Sequence, residues 1–360
     1  MSAALTPASI AELVEAVRST PQLIAVGAGT KPRLSAVNVT KLSTTALRGL
    51  VEYEPSEFTF TALTGTPLRE IIAALAERGQ YLPFDPMLVD AGATLGGTVV
   101  AGLSGPGRFR FGGVRDFILA VQFVDGAGRL LRMGGKVVKN AAGFDLPKFF
   151  VGSLGRFGVL TEITFKVFPR PASRLTLKVE ANTIEATARI LTEAANSRWE
   201  LDALDLLPDG SSICLRLAGP SAALESLADE ILARWPGRKL TEAEADVLWA
   251  ELREFQWAHT GLPLLKVALA PGDVVAFHQT IAALDGARAH ISAGGNVAFV
   301  SLAAADQFAA LDEKLRALQL SGVTLRGDAP LWSGTRTASK ISHAVKAALD
   351  SENRFPSLDD

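Results

Sequence analysis

Apolar and polar residues recur along the first half of the chain with two periods, one typical of helices and one typical of strands. They predict helices over residues 6–19 and 67–79, and strands over residues 23–26, 58–63, 118–124, 130–133 and 159–168. The turn sequence Asp125-Gly126-Ala127-Gly128-Arg129 joins two of these strands into a hairpin. The half ends at Pro169-Arg170-Pro171, where two prolines cannot pair inside a sheet and therefore mark a domain boundary.

The second half shows one order of elements twice: strand, helix, strand, strand, helix. The first copy covers residues 175–180, 183–196, 201–207, 212–217 and 221–234, and the second covers residues 264–270, 273–284, 288–291, 296–302 and 306–318. No residue-level repeat accompanies this order, so only the pattern is duplicated. It predicts an antiparallel sheet with helices on one face. The fold class expected for the chain is therefore α+β, with domains over residues 1–171 and 172–330 and a C-terminal segment over residues 331–360.

Composition excludes several classes of protein. The 360 residues exceed what one core usually holds, and 48% hydrophobic with 21% charged residues is an ordinary globular balance. Mean hydropathy is +0.23, but no apolar run approaches the ~20 residues that span a bilayer. The first ten residues lack the pattern of a secretory or transit signal, so a cytoplasmic location is expected, with peripheral attachment at the inner face of the membrane through partners as the alternative.

The cysteine count and the net charge exclude or disfavour further kinds of site. The single cysteine, Cys214, excludes intrachain disulfides and a cysteine-based zinc or iron–sulfur site within the chain, so no metal site is expected. Any iron–sulfur chemistry has to belong to a partner. A net charge of −2 provides no global field for nucleic acid, which makes nucleic-acid binding an unfavoured function.

Glycine is concentrated in one window: sixteen of the 32 glycines lie between Gly92 and Gly158. Glycine is useful where φ is positive or where a ligand lies against the backbone. Before this window, the loop Gly27-Ala28-Gly29-Thr30-Lys31 follows a predicted strand. It matches neither the dinucleotide fingerprint nor a P-loop. Two interpretations stay open, a surface turn and a set of backbone amides that holds a pyrophosphate with the Thr30 hydroxyl and the Lys31 cation.

The motifs inside the window follow one another in a defined order. They read Pro83-Phe84-Asp85-Pro86, Thr94-Leu95-Gly96-Gly97, Gly102-Leu103-Ser104-Gly105, Gly113-Val114-Arg115-Asp116, Lys139-Asn140-Ala141-Ala142-Gly143 and Gly152-Ser153-Leu154-Gly155-Arg156-Phe157-Gly158-Val159-Leu160. This ordered set resembles the FAD-binding domain of the vanillyl-alcohol oxidase and p-cresol methylhydroxylase (PCMH-type) superfamily over about residues 8–171. The resemblance implies a PCMH-type FAD-binding domain followed by an α+β cap domain.

The resemblance also implies roles for individual residues. Gly27, Ala28, Gly29, Thr30 and Lys31 match the first pyrophosphate loop, and Thr94, Leu95, Gly96 and Gly97 match the second. Pro83, Gly102, Ser104, Gly105, Gly113 and Val114 match positions along the isoalloxazine and ribityl chain, and Gly155, Gly158, Val159 and Leu160 match positions that pack the adenine and ribityl groups. Arg115 and Lys139 are candidate cations near the flavin's pyrimidine edge, although Arg115 could equally pair with Asp116.

Within the superfamily, four sequence motifs are similar to those of the E-subunit family of bacterial glycolate oxidase (glycolate dehydrogenase) complexes. The motifs begin at Gly102, Gly112, Val138 and Val151. The resemblance implies two partners, an FAD-binding catalytic subunit and an iron–sulfur subunit, and a small 2-hydroxy acid as the substrate of the complex. The family's closing segment returns to the FAD domain, and residues 349–356 resemble it without its terminal Gly-Arg.

The positions of the four histidines indicate whether FAD can be attached covalently and whether the chain has a substrate base. The first histidine is His259, so a histidyl link to FAD within residues 1–171 is impossible, and the FAD is expected to be non-covalent. His259, His278, His290 and His343 are scattered singly, without the close spacing of a metal or base cluster, so the catalytic residues stay unknown. The expected function is an FAD-binding subunit of a complex that oxidises glycolate to glyoxylate. The alternatives are a stand-alone FAD-dependent 2-hydroxy-acid or alcohol dehydrogenase and a structural subunit with a vestigial flavin site.

Overall fold

The computed structural model describes residues 4–135, 146–336 and 340–360. Its α-helices in these ranges are α1 Ile10–Ser19, α2 Leu68–Ala76, α3 Leu95–Ala101, α4 Arg108–Phe111, α5 Ile184–Ala195, α6 Ser221–Arg234, α7 Glu242–Glu254, α8 Val274–Ala282, α9 Gln307–Ala317 and α10 Lys340–Leu349. Its strands are β1 Leu23–Val26, β2 Thr40–Ser43, β3 Leu50–Glu54, β4 Thr59–Leu63, β5 Gln80–Tyr81, β6 Ile118–Val124, β7 Leu130–Gly134, β8 Val159–Lys166, β9 Phe168–Pro169, β10 Ser173–Glu180, β11 Ala203–Leu206, β12 Ser212–Gly219, β13 Gly237–Lys239, β14 Leu264–Ala268, β15 Arg288–Ser292, β16 Val297–Ser301, β17 Ser321–Arg326 and β18 Trp332–Gly334. The α+β class expected from the sequence is confirmed.

Contacts divide the chain into two compact units. The first contains the described parts of Met1–Ser104, Gly113–Arg170 and Thr337–Asp360, and the second contains Gly105–Gly112 and Pro171–Arg336. The sequence-predicted domain limits at residues 171 and 330 differ from these units in two places. Residues 105–112 lie in the second unit because Phe109 packs against its core and Arg110 donates to the Glu200 carbonyl at 2.7 Å. Residues 331–336 lie there because β18 pairs with β17.

The first unit is built on a five-stranded antiparallel sheet in the order β3-β4-β8-β6-β7. A parallel pair, β1 and β2, lies beside helix α1, whose Leu13 and Val17 are completely buried. Ser9 caps this helix by accepting from the Glu12 amide, as the N-cap preference for serine predicts.

The C-terminal segment completes the first unit. Phe355 belongs to the same apolar cluster as Leu13, and the Arg354 carbonyl accepts from the Leu23 amide at 2.8 Å. The Arg354 side chain donates to the carbonyls of Gly126 and Thr20. Strand β1, which leads into the first glycine loop, is therefore held on one side by residues more than 300 positions away in sequence.

The second unit is one nine-stranded antiparallel sheet in the order β13-β10-β12-β11-β15-β16-β14-β17-β18. The duplicated order of elements predicted from the sequence is present: β10-α5-β11-β12-α6 is followed by β14-α8-β15-β16-α9. The two copies run in opposite directions across the sheet, so β11 meets β15 in the middle. This seam contains a single register pair, Leu206 with Ile291. Helices α5, α6, α8 and α9 bury one face of the sheet, and α7 covers part of the other through Trp249 and Leu252.

Candidate functional site

A cleft in the first unit brings together residues from three separated glycine motifs. Its lining comes from the end of β1, the loop that follows it, helix α3 and Leu154, namely Ile24, Ala25, Val26, Gly27, Ala28, Gly29, Thr30, Lys31, Leu34, Ser35, Thr94, Gly97, Val100 and Leu154. Seven of the sequence-predicted site residues, the five from Gly27 to Lys31 with Thr94 and Gly97, therefore share one cleft.

Lys31 is the charged group of this cleft. It is only 9% exposed, and its Nζ lies 2.9 Å from the neutral Thr30 Oγ1. Burial lowers the pKa of the Lys31 ammonium to about 8, because the charged form loses water and gains no carboxylate among the described residues. A buried cation in this state is stabilised by an anion that enters the cleft.

The first and second glycine motifs touch at Gly27. A Cβ on Gly27 would lie 2.4 Å from Thr94 Oγ1, so only glycine permits this approach. Gly29 has φ of +71° and no atom within 4 Å of an added Cβ, which leaves its side of the loop open. The loop therefore presents bare backbone next to Lys31.

The amides of the second motif are already used within the protein. Thr94 caps α3 by accepting from the Gly97 amide at 3.2 Å, while the amides of Leu95 and Gly96 donate to the carbonyls of Thr66 and Thr64. A Cβ on Gly96 would lie 2.7 Å from Thr64 Cβ. Gly96 is thus a close-packing glycine between α3 and the turn after β4, and it does not line the cleft. These hydrogen bonds occupy the donors that the sequence assigned to the pyrophosphate.

The segment from Gly152 to Gly158 packs on the end of α3. The amides of Gly152 and Leu154 donate to the carbonyls of Val99 and Val100, and Gly102 ends α3 in the left-handed conformation. Gly155 has φ of +77° and its nearest neighbour to an added Cβ is Ile24 at 3.7 Å. Gly155 thus lies against Ile24 of β1, which lines the cleft, and is not itself part of the lining.

Other predicted positions serve the sheet and its loops. A Cβ on Gly158 would lie 2.8 Å from the Val124 carbonyl oxygen. Val159 and Leu160 of β8 pair with Val124 and Phe123 of β6. Pro83 is buried in the segment between β5 and α3. None of these four residues lines the cleft.

The region from Ser104 to Asp116 is held by its own side chains. The Ser104 hydroxyl accepts from the Val114 amide at 3.0 Å, and the Asp116 carboxylate accepts from the Gly113 amide at 2.8 Å. Arg115 is exposed on the short 3-10 turn Val114–Asp116. Gly105 belongs to the second unit, and Lys139 lies outside the described residues.

Sequence reasoning missed Arg156, the largest of the fully buried side chains. It donates to the carbonyls of Leu34 and Leu154, both in the cleft lining, and to the Asp360 carbonyl at 2.6 Å. Burial lowers the pKa of Arg156 to about 10, an effect that Asp360 opposes and Arg33 reinforces. Its position inside a glycine-rich motif gave no signal of burial, since arginine is seldom inside a protein.

The second unit contains the only buried histidine of the described residues. His290 Nε2 lies 2.7 Å from Asp205 Oδ2, and Asp205 also accepts from the Ser292 hydroxyl and the Ala293 amide. Burial, reinforced by the Asp205 carboxylate, raises the pKa of Cys214 to about 12, so its thiol stays protonated. In the part of the chain that the structure describes, no group of three or more His, Cys, Asp or Glu side chains could hold a metal ion. No helix in that part is long and apolar enough to cross a bilayer.

The chain is similar to an FAD-binding family model, to glycolate oxidase subunits and to a solved structure. Residues 1–134 match the family model described as an FAD binding domain. The chain is 38% identical over 276 residues to glycolate oxidase subunit GlcE of Escherichia coli K12, covering 74% of this chain and 73% of that protein. It is 31% identical over 144 residues to glycolate oxidase subunit GlcD of Bacillus subtilis 168, which covers 40% of this chain and 30% of that protein. The fold is shared with a solved alkyldihydroxyacetonephosphate synthase, with a TM-score of 0.69 at 13% identity over 97% of this chain and 75% of the other.

Proposed function

Because this chain belongs to the glycolate oxidase subunit GlcE family, in the PCMH-type FAD-binding superfamily, and is an FAD-dependent oxidoreductase, we propose that it is the FAD-holding E subunit of a complex that oxidises glycolate to glyoxylate. Its partners in this proposal are a second FAD-binding subunit, which carries the substrate base, and an iron–sulfur subunit, which takes the electrons onward. The relative from Bacillus subtilis has the name of a D subunit of such an oxidase, and supports the first partner.

The observation that carries the proposal is the cleft around Lys31. A nearly buried cation with a neutral hydroxyl partner lies beside a loop with no side chains at Gly27 and Gly29. These are the features that a pyrophosphate requires: an electrostatic partner and close approach to the backbone. The residues present therefore fit FAD.

We assign the pyrophosphate of FAD to the loop Gly27–Lys31, with Thr94 and Gly97 on the opposite side of the cleft. When bound, FAD supplies a ring system that accepts two electrons from a substrate. Lys31 would hold the charge of the pyrophosphate, and Val100, Leu34 and Leu154 would exclude water from it. Residues 1–171 contain no histidine and no cysteine, which supports a non-covalent cofactor.

The division of labour between subunits is supported by what the histidines do. His290 is fixed by Asp205 inside the second unit and is 0% exposed. His259 Nε2 lies 2.9 Å from the Gly286 carbonyl oxygen and donates a hydrogen bond to it. A substrate base has to reach the proton that it removes. His290 is inaccessible and the Nε2 of His259 is engaged by the Gly286 carbonyl, and this favours a D-type partner for that role.

The experiment has two parts. First, the purified chain is tested for a flavin absorption spectrum and for release of intact FAD on heating. Second, the chain is co-expressed with a D-type and an iron–sulfur subunit, and glycolate-dependent dye reduction and glyoxylate are measured with and without it. Release of FAD, with turnover only when all three subunits are present, supports the proposal.

Two results would contradict it. Glycolate turnover by this chain alone would make it a stand-alone dehydrogenase. A complex that turns over equally well with FAD-free chain, obtained by Lys31→Met if that variant loses the cofactor, would make it a structural subunit. The matched control is Lys41→Met, an exposed lysine on β2 of the same unit.

A further inference from the structure

Arg156 is the largest fully buried side chain of the described residues, and it is not part of the cleft lining. Burying a guanidinium is unfavourable unless its donors find acceptors inside the protein. Nη1 of Arg156 donates to the Leu34 carbonyl at 2.8 Å and to the Leu154 carbonyl, and Nη2 donates to the Asp360 carbonyl at 2.6 Å. The side chain therefore joins three separate segments of the first unit.

The first of these carbonyls connects Arg156 with the cation of the cleft. Leu34 lines the cleft and lies on the 3-10 turn Pro32–Ser35, directly after the first glycine loop. The Leu34 amide donates to the Lys31 carbonyl at 3.2 Å. Hydrogen bonds therefore run from Arg156 through the backbone of Leu34 to the backbone of Lys31.

The second carbonyl belongs to Leu154, which lines the cleft in a backbone conformation that favours glycine. Its φ is +52°, in the left-handed region that residues with a Cβ rarely adopt. The Leu154 amide donates to the Val100 carbonyl at 2.9 Å, and the Leu154 carbonyl accepts from Arg156. A strained conformation persists only where its surroundings hold it. Loss of Arg156 would remove the hydrogen bond on one side of this residue.

The third carbonyl belongs to a turn, residues 357–360, that is closed by its own side chains. The Ser357 amide donates to the Asp360 carboxylate at 3.1 Å, and the Asp359 amide donates to the Ser357 hydroxyl at 3.2 Å. Burial lowers the pKa of Arg156 to about 10, and the negative charge of Asp360 opposes this shift. The 357–360 turn therefore supplies Arg156 with an acceptor and with a countercharge.

A cavity of about 660 Å³ lies beside the 357–360 turn. Its lining includes residues 33 and 36–39, which flank Leu34, and residues 355–360. Side chains on two segments cannot pack directly on each other across a space of this size. The hydrogen bonds of Arg156 to the Leu34 and Asp360 carbonyls are thus a direct link between the cleft lining and the turn.

We propose that Arg156 is a positioning residue for FAD, which holds Lys31, Leu34 and Leu154 in the arrangement that receives the cofactor and makes this arrangement depend on the 357–360 turn. Arg156 acts through the carbonyls that it binds and does not itself line the cleft. The proposal rests on the assignment of FAD to this cleft. Because coupling between two sites is reciprocal, FAD stabilises the turn by the same factor as the turn strengthens FAD binding.

The test begins with the dissociation constant of FAD for the full-length chain, measured by flavin fluorescence. Arg156→Met removes every donor of the guanidinium and retains an unbranched side chain. It should weaken FAD binding at least about tenfold, because the cleft lining loses two of its hydrogen bonds. Arg132→Met is the matched control, since Arg132 is exposed on β7 of the same unit. It should bind FAD like the unsubstituted chain.

Deletion of residues 357–360 tests the link to the turn without altering Arg156. It removes only exposed or half-buried residues, and should weaken FAD binding about three- to tenfold. In Arg156→Met the same deletion should change the affinity less than about twofold, because the link is already broken. Equal factors in the two backgrounds, or unchanged FAD affinity after the deletion, overturn the proposal. If Arg156→Met does not fold, the deletion in the otherwise unsubstituted chain decides.

Hydrogen exchange provides a measurement that a purely structural role of Arg156 would not change. FAD should slow the exchange of the Ser357 and Asp359 amides in the unsubstituted chain, but not in Arg156→Met. Exchange that is insensitive to FAD in the unsubstituted chain contradicts the coupling.

Lys31→Met distinguishes failure of this inference from failure of the cleft assignment. Unchanged FAD affinity in Lys31→Met would show that the cofactor lies elsewhere, and the inference would fall with that assignment. Weakened binding in Lys31→Met, together with Arg156→Met that binds FAD like Arg132→Met, would keep the cleft assignment and reject the positioning role alone.

Discussion

Lys31 in the first unit and Asp205 in the second are both charged and almost inaccessible, yet their surroundings differ in one respect. Lys31 has a neutral hydroxyl as its partner and faces a cleft. Asp205 accepts from His290, Ser292 and the Ala293 amide, and lies at the seam where β11 meets β15. The comparison teaches that an incompletely paired buried charge next to a cleft indicates binding, whereas a completely paired one indicates that the group holds the fold together.

The largest effect is expected for Asp205→Ala, which tests whether the completely paired Asp205 carboxylate stabilises the second unit. Three donors would lose their acceptor inside the second unit, and we expect the free energy of unfolding of that unit to fall by about 3–5 kcal/mol. Urea unfolding followed by tryptophan fluorescence measures it. Asp229→Ala is the control, because Asp229 is 73% exposed and its ion pair with Lys239 lies in solvent, where such a pair adds little stability. A loss in Asp205→Ala no larger than in this control would show that the seam does not depend on Asp205.

The next largest effect is expected for Gly96→Ala. The added Cβ would meet Thr64 Cβ at 2.7 Å and the Thr64 carbonyl at 3.0 Å, so the first unit should lose about 1–3 kcal/mol of stability to overpacking. Thermal unfolding measures the change. Gly272→Ala provides the control, since an added Cβ there has no atom within 4 Å. If Gly96→Ala loses FAD at unchanged stability, Gly96 belongs to the cofactor site instead of the packing.

Lys31→Met tests the other half of the comparison, that the incompletely paired Lys31 cation serves FAD binding and not stability. Removing the cation should weaken FAD binding at least about tenfold, because a charge-assisted contact to the pyrophosphate is lost. Stability without FAD should hold or rise, since an incompletely paired buried charge is removed. Flavin fluorescence on titration measures the dissociation constant, with Lys41→Met as the exposed control. Unchanged FAD affinity in Lys31→Met would remove Lys31 from the site.

The smallest effect is the pH dependence of FAD binding. Without FAD the pKa of Lys31 is about 8, and an anionic pyrophosphate favours the charged form, so binding raises this pKa and takes up a proton. FAD affinity should therefore be constant below about pH 7 and fall above pH 8, by at most about tenfold per pH unit. Titration from pH 6.5 to 9.5 tests this, and Lys31→Met should lack the decline. The same decline in that variant would assign it to another group.

Local pattern was sufficient to predict most of the elements. The predicted strand over residues 23–26 and helix over residues 221–234 agree with β1 and α6 at both ends, and the duplicated order in the second half is present. Periodicity and turn chemistry depend on residues that are close together in the chain, so they can be read from a single sequence. The insertion of residues 105–112 into the second unit depends on contacts 90 positions apart, such as Arg110 with Glu200, which periodicity does not encode.

For the candidate site, the glycine motifs predicted residues that line one cleft, but not the structural role of each glycine. Gly27 and Gly29 lie in the cleft, whereas Gly96 and Gly158 allow close packing of helix α3 and strand β8. Both uses remove a Cβ for steric reasons, so the residue type alone cannot separate them. Arg156 was missed because its burial arises from three carbonyls on different segments.

The chain passes between the two units at residues 104/105, 112/113, 170/171 and 336/337. During synthesis, the residues that complete the first unit, Leu349 to Phe355, leave the ribosome only after the whole second unit has been made. Throughout that time, strand β1 and its glycine loop would lack the hydrogen bond from the Leu23 amide to the Arg354 carbonyl. Cofactor loading is then a late event of biogenesis, and a nascent chain stalled before residue 337 should retain no flavin even when its second unit is folded.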